Sequence, residues 1–65
     1  MNIRVNGESC EVRADTLAAL LEELDYGDAT VATAHNQAFV RKKDRMTTKL
    51  VEGDEVEILT PRQGG

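Results

Sequence analysis

Close to its end the chain carries the segment Glu52-Gly53-Asp54-Glu55-Val56-Glu57-Ile58-Leu59-Thr60, which predicts a turn followed by a strand. The first three residues have turn chemistry. Val56 and Ile58 then alternate with glutamates, which is the period of a strand that buries one face. Leu59 falls out of phase with these two residues, so we expect it to be exposed. Pro61 has no N–H group to donate and ends the pairing, so the strand leads into a short tail.

The beginning of the chain predicts a β-hairpin. Apolar and polar residues alternate from Met1 to Val5, as in a half-buried strand. Asn6-Gly7 follows and is the strongest short-range signal for a two-residue type I′ turn, because both central residues of that turn take positive φ. The return strand is predicted over residues 8–13, with Cys10 on its inward face. A buried free cysteine packs as a small hydrophobic residue, so we expect Cys10 to belong to the core.

After this hairpin the period changes to that of a helix. The apolar stripe at i, i+3, i+4 and i+7 consists of Leu17, Leu20, Leu21 and Leu24. Asp15 or Thr16 can cap the start of the helix by accepting hydrogen bonds from first-turn N–H groups. We expect the helix to stop near Asp25, with Gly27 as its terminator.

The middle of the chain predicts two further short strands, residues 31–35 and Ala38–Val40, joined by a turn at Asn36-Gln37. The faces of the first of these strands stay unassigned, because small residues occur in both phases. His35 has no second histidine or nearby cysteine, which favours a surface or structural role. Arg41-Lys42-Lys43-Asp44-Arg45 is predicted to be a solvated charged loop, followed by a helical turn or irregular chain.

This order of elements predicts an α+β fold. A hairpin, a helix and further strands give a mixed sheet of four to five strands with one helix packed across it. The long helical connection permits the first and last strands to lie parallel and adjacent in the centre of the sheet. That arrangement is the β-grasp, or ubiquitin-like, fold. We expect one domain over residues 1–60 and a flexible C-terminal tail over residues 61–65 that ends in Gly-Gly.

Length and composition limit the classes of function. A chain of 65 residues buries only about 60% of the surface that its unfolded form exposes. Little material is left for an enclosed active site, which predicts a protein that binds or is acted upon and not an enzyme. The net charge of −4 disfavours a nucleic-acid partner and favours a basic protein partner. The single cysteine cannot form an internal disulfide and cannot supply a zinc or iron–sulfur cage.

The expected location follows from what the sequence lacks. No apolar run approaches the roughly 20 residues of a membrane span, and the first residues do not have the apolar run of a signal peptide. We therefore expect a cytoplasmic protein without a membrane partner.

The last residues, Gln63-Gly64-Gly65, carry the candidate chemistry. Glycine has no Cβ and adopts backbone conformations that other residues avoid, so a diglycine end can be threaded into a narrow active site. The carboxylate of Gly65 is a weak nucleophile that can attack the α-phosphate of ATP in a partner enzyme.

Acidic residues lie next to the tail in the sequence. They are Glu52, Asp54, Glu55 and Glu57. The cluster predicts an ordinary solvated rim or, alternatively, a rim that steers a basic partner towards the tail. In the second interpretation the exposed Leu59 is a candidate docking anchor.

Several segments together resemble the ThiS family of sulfur carrier proteins over the whole length of the chain. They are Asn6-Gly7, residues 16–24, Val31-Ala32 with Ala34 and Asn36, and Glu52-Gly53-Asp54-Glu55-Val56-Glu57-Ile58-Leu59 followed by Gln63-Gly64-Gly65. The combination of an EGD turn, a strand and a short tail ending in Gly-Gly is specific. The loop over residues 41–48 departs from the family pattern, because it is more basic and lacks the aromatic residue and the proline often found there.

The resemblance implies a carrier whose Gly65 carboxylate is adenylated by an E1-like adenylyltransferase similar to ThiF and then converted to a thiocarboxylate. A persulfide protein would supply the sulfur, and a thiazole synthase similar to ThiG would receive it for the thiazole of thiamine. Gly64 and Gln63 would thread into the partner. The partner would use ATP, and the carrier would bind no cofactor stably.

The residues alone leave three alternatives open. The first is a carrier similar to MoaD that supplies sulfur for molybdopterin. The second is a ubiquitin-like modifier that becomes joined to lysines of other proteins. The third is a β-grasp module that binds a partner without covalent chemistry.

Overall fold

A computed structural model describes residues 1–27 and 29–61. The elements of this part of the chain, in order, are β1 (Asn2–Val5), β2 (Glu8–Glu11), α1 (Leu17–Glu23), β3 (Ala32–His35), β4 (Ala38–Val40), a 3₁₀ helix (Lys42–Thr47) and β5 (Glu55–Leu59). Every predicted strand is present, and all but β4 are one or two residues shorter than predicted. Neither helix of the described segments has the length and apolar character needed to span a bilayer.

The strands form one mixed sheet in the order β2-β1-β5-β3-β4. β1 pairs antiparallel with β2 and parallel with β5, while β3 pairs antiparallel with both β4 and β5. The first and last strands lie side by side, as predicted, because the crossover through α1 lets the chain return in the same direction. Both residues of the Asn6-Gly7 turn have positive φ, 52° and 85°, as a type I′ turn requires. The predicted β-grasp fold is confirmed.

The hydrophobic core lies between α1 and one face of the sheet. α1 contributes the predicted leucine stripe, in which Leu17 and Leu20 are fully buried and Leu24 is half-buried. β5 contributes Val56 and Ile58, as the alternation predicted. The remaining buried apolar residues are Leu21 of the same stripe together with Ile3, Val12, Ala14 and Leu50. The core therefore covers one face of β5. The side chains on the opposite face of β5 are exposed.

Specific caps determine where α1 begins and ends. Thr16 is the N-cap, since its extended backbone lets Oγ1 accept a hydrogen bond from the Ala19 N–H at 3.1 Å. At the other end the helix stops at Glu23, and Asp25 takes the left-handed conformation with a φ of 68°. The prediction of Gly27 as terminator is wrong. Aspartate tolerates positive φ better than most residues, so Asp25 ends the helix before the chain reaches Gly27.

The charged segment after β4 is solvated over residues 41–44, as predicted, but it is not a loop. It forms the 3₁₀ helix, and Arg45 is buried within it, with 9% of its surface exposed. The guanidinium donates from Nε to Thr33 Oγ1 at 3.0 Å and from Nη2 to the Val31 carbonyl at 2.7 Å. A buried charged group is tolerated when such hydrogen bonds replace its contacts with water. The 3₁₀ helix is thereby tied to the start of β3, which lies next to the end of β5.

Candidate functional site

The predicted tail follows β5 in the sequence, and the structure describes only its first residue, Pro61. Thr60 and Pro61 follow this strand and are exposed. Because β5 runs parallel to β1 and antiparallel to β3, the same end of the sheet holds the Asn6-Gly7 turn and the start of β3. The residues predicted for covalent attachment and threading are Gly65, Gly64 and Gln63, and they lie outside the described residues. The described part of the chain thus locates the exit of the tail.

An exposed apolar patch lies beside this exit, on the face of the sheet that α1 does not cover. Strand register places Ala32 opposite Leu59 and Phe39 opposite Ala34. Phe39 and Leu59 are 71% and 68% exposed. We call Ala32, Ala34, Phe39 and Leu59 the outer patch. Contiguous exposed apolar surfaces commonly mark interaction sites, so the outer patch is the candidate docking surface.

Two shallow hollows meet at Leu59. One, of about 70 Å³, lies within the outer patch between Phe39 and Leu59, and Glu57 forms part of its wall. The other has a volume of about 260 Å³ and is lined by Thr30, Val31, Ala32, Leu59, Thr60 and Pro61. Leu59 therefore stands between the outer patch and the first residue of the tail, a position that suits a docking anchor.

The expected exposure of Leu59 is confirmed, but its partners in the outer patch are not apparent in the sequence. Ala32 and Ala34 lie in a strand whose small residues occur in both phases, so no face can be assigned to them. Phe39 lies in a three-residue strand, which is too short to show an alternation. The one usable signal is that Phe39 is the only phenylalanine of the chain and occurs in a predicted edge strand. Strand register was needed to place it near Leu59.

Three of the four acidic residues predicted as a rim beside the tail, Glu52, Glu55 and Glu57, are exposed, and they differ in their surroundings. Glu57 borders the outer patch. Glu52 precedes β5, and its Oε1 accepts a hydrogen bond from the Asn2 N–H at 3.0 Å. Glu55 begins β5, and its carboxylate lies 3.8 Å from the guanidinium of an arginine on β1. At about 3.3 Å per residue, the strand places Glu55 roughly 13 Å from Leu59. Of the two glutamates in β5, Glu57 therefore lies nearer to Leu59.

Asp54, the fourth member of the predicted rim, is buried and not solvated. Only 8% of its surface is exposed. Its Oδ2 lies 2.7 Å from His35 Nε2 and accepts the Val51 N–H at 2.9 Å, while Oδ1 accepts a hydrogen bond from Asn36 Nδ2 at 3.2 Å. An ionised carboxylate can only accept, so Nε2 of His35 carries the hydrogen. Asp54 therefore joins the β3–β4 turn to the start of β5, and His35 has the structural role that was one of its two predicted roles.

The environment of Asp54 changes its acidity. Burial raises the pKa of the Asp54 carboxyl, but the hydrogen bonds from His35, Val51 and Asn36 favour the ionised form and outweigh it, so the pKa lies below the ordinary 3.8. The ionised form of Asp54 is thus part of the folded structure.

Cys10 has the orientation that the alternation predicts. Its partner across the hairpin is the buried Ile3, and its side chain packs against the core. Because β2 is an edge strand, Cys10 is half-buried and not fully enclosed. The expected core role is therefore met in part.

The described residues define a class of protein before any comparison. A five-stranded mixed sheet with one helix packed across it is a small β-grasp protein, and its uncovered apolar patch is a candidate docking surface. Among known protein families, the ThiS family matches residues 3–65 of the chain. The crystal structure of the thiamine biosynthesis protein ThiS from Geobacter metallireducens has a TM-score of 0.83 and 30% sequence identity, with 100% of both chains covered. A comparison with curated proteins gives no match. The chain belongs to the ThiS family of sulfur carrier proteins.

Proposed function

We propose that the protein is a sulfur carrier of thiamine biosynthesis in which Gly65 receives the sulfur atom. The observation that carries this proposal is the family match over residues 3–65, a range that includes the Gly64-Gly65 ending. The similarity to ThiS from Geobacter metallireducens over both full chains supports it. In this role the protein is a substrate of its partner enzymes and catalyses no reaction itself.

Activation begins at the Gly65 carboxylate. One carboxylate oxygen attacks the α-phosphate of ATP in an E1-like adenylyltransferase similar to ThiF, and pyrophosphate leaves. The acyl-adenylate carries AMP, which is a far better leaving group than oxide, so the terminal sulfur of a persulfide protein can attack the acyl carbon and displace it. A thiol then reduces the resulting acyl disulfide and releases the thiocarboxylate. ATP is used by the partner, and the carrier supplies the carboxylate.

The thiocarboxylate sulfur would then pass to a thiazole synthase similar to ThiG. A thin ending suits both transfers, because glycine has no Cβ to meet the walls of a narrow channel. The five residues from Pro61 to Gly65 can span at most about 17 Å when extended. The reacting atom can therefore enter a cleft, with Gln63 and Gly64 in its entrance, while the sheet stays outside.

The outer patch supports a docking role in these encounters. Phe39 and Leu59 are large and exposed, and a few such side chains, once buried at the centre of an interface, supply most of its binding energy. Glu57 adds a negative charge at the edge of the patch, which suits a basic partner surface. Because the patch borders the tail exit, docking there would bring the tail to the partner's active site.

Intact mass measurement of the protein purified from its own host tests the proposed function. A loaded carrier would appear as a second species that is heavier by the difference between one sulfur and one oxygen atom. Conjugates with lysines of other proteins would instead support the ubiquitin-like modifier. Transfer of the sulfur to a pterin precursor and not to a thiazole would support the MoaD-like alternative. Absence of any activated form after incubation with the E1-like partner and ATP would favour the non-covalent module.

Leu59→Asp is expected to weaken binding of the adenylating partner by about tenfold, which corresponds to ~1.4 kcal/mol. The reason is that a charge at the centre of an apolar contact loses its hydration without gaining a partner. Folding should change little, because Leu59 is largely exposed. Met46→Asp is the matched control, since Met46 is 75% exposed but lies on the 3₁₀ helix. Calorimetric titration with the adenylating partner measures the dissociation constant of each variant. Equal losses of affinity in the two variants would contradict the docking role.

Glu57→Lys is expected to slow association with a basic partner by about three- to tenfold at low salt, because rim charges act mainly on the association rate. At 0.15 M salt the difference should shrink, since the Debye length is then about 8 Å. Glu22→Lys, an identical charge change on the exposed side of α1, controls for net charge. Stopped-flow association rates at two salt concentrations measure the effect. Rates that do not depend on which glutamate is reversed would argue against local steering.

A further inference from the structure

The side chain of Asn6 continues the sheet beyond the point where β1 ends. The Asn6 main-chain N–H donates to the Val56 carbonyl at 2.9 Å, as the parallel ladder of β1 and β5 requires. At Asn6 the main chain of β1 enters the turn, and the Asn6 side chain makes the next hydrogen bonds to β5. Asn6 Oδ1 accepts the Ile58 N–H at 2.8 Å, and Nδ2 donates to the Ile58 carbonyl at 3.2 Å. The amide of Asn6 thus acts as one additional peptide unit paired with β5.

The Asn6 side chain provides hydrogen-bond partners for main-chain groups of β5 that lie beyond the end of β1. Register pairs of the two strands are Arg4 with Glu55 and Val5 with Val56, so Ile58 extends past the last residue of β1. Ile58 is buried, with 4% of its surface exposed, and buried backbone groups need hydrogen-bond partners. On the other side of β5, Ile58 is opposite Thr33 of β3. Asn6 therefore makes the last attachment of β5 on its β1 side before the tail.

A second asparagine side chain accepts a hydrogen bond at the beginning of β5. Asn36 occupies the first position of the β3–β4 turn and has a φ of 50°, close to the 52° of Asn6. Its Oδ1 accepts the Glu55 N–H at 2.8 Å, and its Nδ2 donates to Asp54 Oδ1 at 3.2 Å. The two residues share type, turn position and target strand. Asn36 binds the first residue of β5 and Asn6 binds Ile58 near its last residue. Only the second of these positions is next to the tail.

We propose that Asn6 is a positioning residue for activation of the C-terminus, because its side-chain amide holds Ile58 and so determines where the chain leaves the sheet. The proposal rests on the proposed function, in which the end of the tail must meet ATP in a partner. Without the Asn6 amide, the end of β5 is held from β3 alone and opens more often. A docked carrier then presents its tail from a wider set of starting positions, and a smaller fraction of bound complexes reaches the reactive geometry.

Asn6→Gly and Asn36→Gly are the matched pair of variants that test this role. Glycine accepts the positive φ of both turns, so each substitution removes the side-chain contact with β5 and keeps the turn. Asn36→Gly also removes the hydrogen bond to Asp54, so any general loss of stability should be at least as large in this control. Two measurements are made on the full chain: amide hydrogen exchange by NMR, and ATP–pyrophosphate exchange with the E1-like partner at varied carrier concentration. Exchange at the buried Ile3, which lies outside both turns and pairs with Cys10 of β2, serves as the internal reference.

In Asn6→Gly the Ile58 amide is expected to exchange about tenfold faster, relative to Ile3, than in the unaltered protein. The kcat of pyrophosphate exchange should fall by about three- to tenfold while KM stays within about twofold, because docking through the outer patch is retained and positioning of the tail is not. In Asn36→Gly the Glu55 amide should exchange faster, and kcat and KM should remain unchanged. Asn6→Asp, which keeps the acceptor for the Ile58 N–H and loses the donor, should give an intermediate exchange rate at Ile58.

Two results would overturn the positioning role and leave the proposed function intact. One is an equal loss of kcat in Asn6→Gly and Asn36→Gly, which would indicate a general effect of stability. The other is an Ile58 amide that exchanges no faster in Asn6→Gly than in the unaltered protein. Absence of pyrophosphate exchange with the unaltered protein itself would overturn the proposed function, and the positioning role with it.

Discussion

Deletion of Gly65 is expected to reduce adenylation by at least about 100-fold. The reactive carboxyl would then sit one residue, about 3.5 Å, short of the α-phosphate of ATP. That is a large error for a reaction in which a misplacement of about 1 Å can cost ~100-fold. ATP–pyrophosphate exchange with the E1-like partner measures the loss. The melting temperature should be nearly unchanged, because the last residues of most domains have few native contacts to lose.

Two further variants of the tail distinguish the effect of its length from the effect of an added side chain. One extra residue after Gly65 should block activation until it is removed, since the carboxyl would then overshoot by the same distance. Gly64→Ala keeps the length of the tail and should still impair adenylation, because a Cβ restricts the backbone and occupies space in a narrow channel. Full activity of the Gly65 deletion would falsify the carrier function and leave a non-covalent β-grasp module as the better interpretation.

Asp54→Ala is expected to lower the free energy of unfolding by about 2–3 kcal/mol, because three donors lose their acceptor in a buried site. These donors are His35 Nε2, the Val51 N–H and Asn36 Nδ2. For a domain of this size the loss corresponds to a fall in melting temperature of roughly 10–20 °C. Asp44→Ala is the control, since Asp44 is exposed on the 3₁₀ helix, and it should change stability by less than about 0.5 kcal/mol. Equal losses in the two variants would show that the buried network contributes nothing specific.

The same network predicts a pH dependence of stability. The pKa of Asp54 in the folded state lies below the ordinary value of 3.8, which applies to the unfolded chain. At pH values between the folded and the unfolded pKa, the unfolded chain therefore binds more protons than the folded one. The stabilisation from Asp54 is therefore complete well above pH 3.8 and is lost as the pH falls through the lowered pKa. Urea denaturation between about pH 6 and pH 3 should show a steeper loss of stability in the unaltered protein than in Asp54→Asn. Parallel curves would contradict this assignment.

Much of the fold can be predicted from the sequence because its elements depend on local signals. Asn6-Gly7 predicts the first turn through the positive φ that both residues adopt. The leucine stripe predicts α1, and the alternation of Val56 and Ile58 predicts the buried face of β5. Both predictions succeed because the spacing of apolar residues indicates which face is buried, whichever element packs against it. Helix termination is predicted less well, since both Asp25 and Gly27 can take positive φ and the sequence does not say which one ends the helix.

The candidate site can be predicted only in part. The phase of Leu59 relative to Val56 and Ile58 is a local property, and it correctly predicts an exposed side chain. The outer patch around Leu59 is not a local property, because Phe39 reaches it through two strand pairings, β4 with β3 and β3 with β5. A shift of one residue in either pairing would place Phe39 on the other face of the sheet.

The sequence by itself determined the order of the five strands and α1, the apolar faces of α1 and β5, and the exposure of Leu59. Only the tertiary structure decided that Asp54 and Arg45, two charged residues expected at the surface, are buried. Asp54 contacts His35, 19 positions away, and Arg45 contacts Thr33, 12 positions away. Asn6 and Ile58 are separated by 52 positions. Burial of a polar group depends on whether partners arrive from distant parts of the chain, and no local pattern contains that information.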